Sequence, residues 1–113
     1  MDAFKVDIKE VPKGTIVALQ GDIGMLEVDA LTAQFLKLLE LKPALVVLDL
    51  SKVAMIASAG MGAMIAFRRD IGKVGGNMRL AAVTPQVREA LRRALFDRLF
   101  QFYETVELAL NGQ

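Results

Sequence analysis

ALVVLDLSKVAMIASAGMG, running from Ala44 to Gly62, decides the fold of this chain. The stretch Ala44 to Leu50, apolar without a break as far as Leu48, predicts a strand buried on both faces, as in the middle of a parallel sheet. A short loop then leads into Ala57-Ser58-Ala59-Gly60, a turn built of small residues. Beyond it Gly60, Met64, Phe67, Ile71 and Val74 recur every three or four positions, the spacing of a helix with one apolar face. Ser58 therefore stands where a helix begins. Free backbone N–H groups and the positive end of the helix dipole at that point favour an anion. A serine there commonly serves as an N-cap worth about 1 kcal/mol. The small neighbours are a separate matter, because a cap tolerates bulk, whereas a hydroxyl that another protein must reach benefits from its absence.

Outward from this stretch the chain alternates strands and helices. Phe4, Val6 and Ile8 alternate with polar residues, Pro12-Lys13-Gly14 supplies a turn, and Thr15 to Gln20 completes a hairpin. After the loop Gly21-Asp22-Ile23-Gly24, helical spacing of Leu31, Phe35 and Leu38 begins at Val28 and closes at Pro43. Gly75-Gly76 ends the Ser58 helix, and Met78 to Val83 reads as the next strand. Thr84-Pro85 places an N-cap threonine before a first-turn proline, and Val87, Leu91 and Ala94/Leu95 share one face of the following helix. Leu99 to Tyr103 and Thr105 to Leu110 read as a last strand and a last helix. The expectation is an α/β fold with a central mixed β-sheet of about four to five strands, the Leu45–Leu48 strand at its centre and helices mainly on one face.

Composition narrows the function. The 113 residues make one domain by the rule of about 100–200 residues each. Cysteine and histidine are both absent, which removes disulfides, thiol chemistry, Cys/His zinc sites and an imidazole base. A net charge of +1 gives no electrostatic case for nucleic acid or an anionic membrane. The charged N-terminus MDAFKVDIKE lacks a signal peptide's apolar run, and the uncharged run Val53 to Phe67 is shorter than the ~20 residues of a membrane span. A cytoplasmic, soluble location is expected.

Catalytic constellations are missing. Asp22, Asp49 and Asp70 fall on different elements, and Asp49 is read as an acceptor for a loop hydrogen bond. Gly72-Lys73-Val74-Gly75-Gly76 follows a helix and lacks the phosphate-loop order, so it reads as a C-terminal cap. Arg88, Arg92, Arg93 and Arg98 cluster, with Glu89 and Arg93 spaced as a helical ion pair. Met61 and Ile65 lie outside the apolar stripe of the Ser58 helix, where they fill a helix–helix contact or form a docking patch.

The order of elements together with LVVLDLSKVAMIASAGMG resembles the STAS family, the bacterial anti-sigma factor antagonists and their relatives. Its motif, Asp-Ser-[Ser/Thr]-Gly-Leu-Gly opening a helix, stands here as Ala57-Ser58-Ala59-Gly60-Met61-Gly62. Gly21-Asp22-Ile23 is similar to the family's Gly-Glu-[Leu/Ile]-Asp loop, Gly75-Gly76-Asn77-Met78-Arg79-Leu80 to its turn into a strand, and Thr84-Pro85 to its Ser-Pro helix start. The resemblance implies a non-catalytic, cofactor-free and metal-free regulator. Its partner would be an anti-sigma factor of the ATP-dependent serine kinase type. Ser58 is the implied phosphoacceptor, and Asp22, Gly24, Ala57, Ser58, Ala59, Gly60, Met61, Gly62 and Ile65 the implied partner surface. Ala57 replaces the motif aspartate, Gly24 the acid that ends the loop, and Ala59 a second hydroxyl. These departures leave a second reading open: a scaffold, or a module that binds a small anion or nucleotide without phosphorylation.

Overall fold

The computed structural model describes residues 3–112. Two strands, β1 (Lys5–Val11) and β2 (Gly14–Gln20), form the expected antiparallel hairpin. A short 3-10 turn at Met25–Glu27 precedes α1 (Val28–Glu40). Then follow β3 (Leu45–Lys52), α2 (Ser58–Lys73), β4 (Asn77–Ala81) and α3 (Pro85–Arg93). A second 3-10 turn at Phe96–Arg98, β5 (Gln101–Tyr103) and α4 (Val106–Asn111) complete the chain. The sheet runs β1-β2-β3-β4-β5, with β3 central and the last three pairings parallel.

Strand order explains where the helices lie. Each parallel step from β2 to β5 moves one strand in the same direction, and right-handed crossovers then place every connecting helix on one face. Val17, Leu19, Val46, Leu48, Leu50, Met78 and Leu80 point to that face and join Leu31, Phe35, Met64, Phe67, Ile71, Val87 and Leu91 of α1–α3 in one core. Phe35 of α1 stacks on Phe67 of α2, with centroids 4.2 Å apart. No crossover constrains α4, and it covers part of the other face, where Ala109 packs on Val47 and Ala81. Arg79 anchors it by donating from Nη1 to the Ala109 carbonyl at 2.7 Å.

Three sequence expectations shift at the ends of elements, two at helices and one at a strand. Val74, assigned to the apolar stripe of α2, is exposed because the helix stops at Lys73. Gly75 adopts φ +83°, its N–H donates to Gly72 O and the Gly76 N–H to Ile71 O, so the chain turns away one residue early. Leu95, placed on the α3 face, is exposed at φ +64° beyond the helix end, and Phe96 fills the core instead. The fourth strand ends at Ala81 instead of Val83, since Ala82 turns to φ +55° and donates its N–H to Tyr103 O. The capping role of Gly75-Gly76 holds, as does the Asp49 loop bond, in which Oδ1 accepts from the Ser51 N–H at 3.0 Å.

Gly76 admits no side chain, because a Cβ there would lie 2.4 Å from the Pro43 carbonyl oxygen. Gly76→Ala is therefore expected to lower unfolding stability by about 3 kcal/mol, read as a reduced urea midpoint at unchanged slope.

Candidate functional site

The hydrogen bonding of β2 to β3 continues past the strands. Gly21 N–H donates to Lys52 O at 3.0 Å, Ile23 N–H to Met55 O at 2.9 Å, and Ala57 N–H to Ile23 O at 2.8 Å. Ile23 and Ile56 form an isolated parallel bridge. The loop Gly21–Gly24 is thus sewn to the loop that delivers Ser58, and two segments distant in sequence form one surface.

This sewing moves the helix start. Ala57 is held extended at φ −81°, ψ 163°, and it occupies the N-cap position; its O accepts the Met61 N–H at 3.1 Å. Ser58 is consequently the first residue of α2 and not its cap, and the helix start has no side-chain cap. The N-cap reading of Ser58 is corrected on this point. The hydroxyl is exposed on the first turn, beside backbone N–H groups without intrahelical acceptors. Thr84 behaves similarly. It holds the N-cap position of α3, but its Oγ1 donates to Val53 O at 2.9 Å, tying the β4–α3 junction to the β3–α2 loop.

The other expected residues separate into support and surface. Gly60 is buried, and a Cβ there would come within 2.8 Å of Ile23 Cγ2 and 3.1 Å of Ile56 Cγ1. It is what lets α2 start against the Ile23–Ile56 bridge. Met61 is half-buried against the core, whereas Ile65 is 39 % exposed, so the pair divides between packing and surface. Asp22, Ala59 and Gly62 are exposed, while Gly24 and Ala57 are half-buried. Nothing lies within 4 Å of a Cβ built on Gly62, so the fold does not require a glycine there.

Four residues of the surface escaped sequence reading. Met25 and Leu26 are 81 % and 91 % exposed on the 3-10 turn beside α2, and Met55 is 44 % exposed next to the Ile56 bridge. Two large apolar residues directly after a glycine loop, outside any helical stripe, were the available signal. Glu27 is the fourth: its Oε1 accepts the Gly24 N–H at 2.9 Å. A Cβ at Gly24 would sit 3.0 Å from that oxygen, so an acid at 24 would crowd the carboxylate that now holds the loop. The Arg cluster lies elsewhere. Arg92 and Arg93 are paired with Glu89 at 2.7 and 3.3 Å, and the Arg92 hydrogen bond first of all lowers the Glu89 pKa to about 2. The Arg88 guanidinium lies 4.0 Å from the centre of the Phe102 ring. Among the described residues no group of three acids stands close enough to hold a metal ion, and no helix is long and apolar enough to cross a membrane.

Residues 5–109 match the STAS domain family. In fold the chain is similar to an anti-sigma factor antagonist from Mycobacterium paratuberculosis, with a TM-score of 0.89, 24 % identity, and 97 % of this chain and 93 % of that one covered. It is also similar to the anti-sigma factor antagonist SpoIIAA in its unphosphorylated form, at TM-score 0.80, 16 % identity and coverage of 95 % and 94 %. The phosphorylated form of SpoIIAA, the Bacillus cell fate determinant, gives TM-score 0.73, 16 % identity and coverage of 96 % and 97 %.

The two motif glycines are expected to respond in opposite directions. Gly60→Ala overpacks Ile23 and should cost about 1–3 kcal/mol. Gly62→Ala, in open space within a helix, should stabilise by roughly 0.5–1 kcal/mol. Chemical denaturation of both variants beside the wild type gives the two signs.

Proposed function

The chain belongs to the STAS domain family, and we propose that it is a non-catalytic regulator that binds an anti-sigma factor of the ATP-dependent serine kinase type. Binding frees a sigma factor, and phosphorylation of Ser58 by the same partner ends it. The observation that carries the reading is the placement of Ser58: an exposed hydroxyl on the first residue of α2, flanked by small side chains, with exposed Met25 and Leu26 on the 3-10 turn that adjoins α2, Met55 in the loop before it and Ile65 two turns along the helix. Large apolar groups left in water beside a reachable hydroxyl suit a protein partner better than a small ligand. Similarity to anti-sigma factor antagonists, one of them solved with and without phosphate, supports the same reading.

The physical action of the phosphate follows from the site. Phosphoserine brings about −1.5 to −2 charges at neutral pH. At the start of α2 those charges meet unbonded N–H groups and the positive end of the dipole, a gain of about 0.3–1 kcal/mol. Ala57 adds no repulsion where an aspartate would. The modified domain therefore keeps its fold, and the switch acts at the interface, where a hydrated dianion would have to be stripped of water against the partner. Asp22 and Glu27 supply the acidic character of the neighbouring loop, a role that Gly24 and Ala57 do not fill. The uncharged, exposed Gly62 gives the partner a path close to the helix backbone.

Incubation with ATP and the anti-sigma kinase of the same organism is expected to add one phosphate, located on Ser58 by mass spectrometry. Ser58→Asp should melt near the wild-type temperature yet lose partner binding, and Ser58→Ala should bind without being switched. Leu26→Asp should weaken binding about tenfold or more with little change in stability, as expected for an exposed apolar anchor. Absence of phosphate, or a Ser58→Asp protein that binds like wild type, would leave the scaffold reading in its place.

A further inference from the structure

Among the described residues the outer edge of β1, the terminal strand of the sheet, has no neighbour along its seven residues. The opposite terminal strand, β5, is only three residues long. The two-residue turn at Pro12-Lys13 makes Val11 and Gly14 a hydrogen-bonded pair. Alternation along the hairpin then sends the backbone groups of Lys5, Asp7 and Lys9 toward β2, and those of Val6, Ile8 and Glu10 outward. The Ile8 side chain, in register with Val17, is 38 % exposed at this edge. Lys5, Asp7 and Lys9 alternate with it on the opposite face, beside Gln20, Ala18 and Ile16.

We propose that β1 pairs antiparallel with β1 of a second copy of this chain, Ile8 facing Ile8, so that two sheets join across a two-fold axis. Only that register keeps all seven residues of both strands paired. It matches the outward backbone groups of Ile8 with each other and those of Val6 with Glu10. It also sets Asp7 opposite Lys9 twice, once on each side of the axis, on a face that α4 leaves uncovered there. Charge complementarity selects the register. Slipping by the smallest step that preserves hydrogen bonding brings Asp7 against Asp7 or Lys9 against Lys9, and directly opposed like charges destabilise strand pairing. Lysines on an edge strand usually discourage pairing with other strands; in this register each Lys9 faces Asp7 of the second copy. The inference uses no residue of the Ser58 surface and does not depend on the proposed switch.

Light scattering across a concentration series tests it. The wild-type mass is expected to rise toward twice the chain's 12.3 kDa. Asp7→Lys and Lys9→Asp each turn both pairs into repulsions and should weaken dimerisation about tenfold or more. The double swap Asp7→Lys/Lys9→Asp restores opposite charges with the order reversed and should return dimerisation to the wild-type level. Circular dichroism melts of all four proteins check that the exposed substitutions leave the fold intact. A wild-type protein that stays monomeric throughout, a dimer indifferent to either single swap, or a double swap that fails to restore it would each overturn the proposal.

Discussion

Ile23 and Ile56 meet in a parallel bridge just beyond the ends of β2 and β3, and the position of everything around Ser58 depends on that contact. The bridge and its flanking hydrogen bonds fix Ala57 in an extended conformation, so α2 begins at the next residue. Gly60 then has to pass within van der Waals reach of both isoleucines, which is why a side chain is excluded there. Both isoleucines are buried, so the loops gain hydrophobic as well as hydrogen-bonded support. A surface made of two loops becomes as well defined as a strand pair.

Two kinds of demand are superposed on the short run Ala57–Gly62. Gly60 and Met61 answer to the core below them, and their chemistry is set by packing. Ser58, Ala59 and Gly62 face outward and are not required by the packing, as the open space at Gly62 makes plain. Their smallness is a property of the surface. The apolar rim of Met25, Leu26 and Met55 has the opposite character, bulky and adaptable, and methionine suits an interface that must re-form repeatedly. Glu27 connects the two regions by holding Gly24 through its backbone.

The electrostatics divide along similar lines. All seven arginines lie between Arg68 and Arg98, yet much of that charge is already engaged. Glu89 takes Arg92 and Arg93, Phe102 takes Arg88, Phe100 lies under Arg68, and Arg79 closes the end of α4. Exposed pairs of this sort contribute little stability. The Glu89 carboxylate does offset part of the field that a basic cluster in the sequence would otherwise imply.

Sequence alone determined the alternation of strands and helices, the central place of Leu45–Leu48 and the position of Ser58 at a helix start. Each depends on local periodicity: an apolar run too continuous for a half-exposed strand, then three-four spacing, then glycines that stop a helix. Helix ends were less legible, and Val74 and Leu95 were misplaced, because hydrogen bonds to particular carbonyls decide where a helix stops and periodicity carries no mark of that. Whether Ser58 or Ala57 would cap α2 depended on Ile23, more than thirty residues earlier, whose carbonyl claims the Ala57 N–H. The same long-range pairing brought the 3-10 turn of Met25 and Leu26 beside α2 and joined the Gly21–Gly24 loop to the loop that carries Met55. Only tertiary structure could decide these points, since they follow from which strands lie side by side.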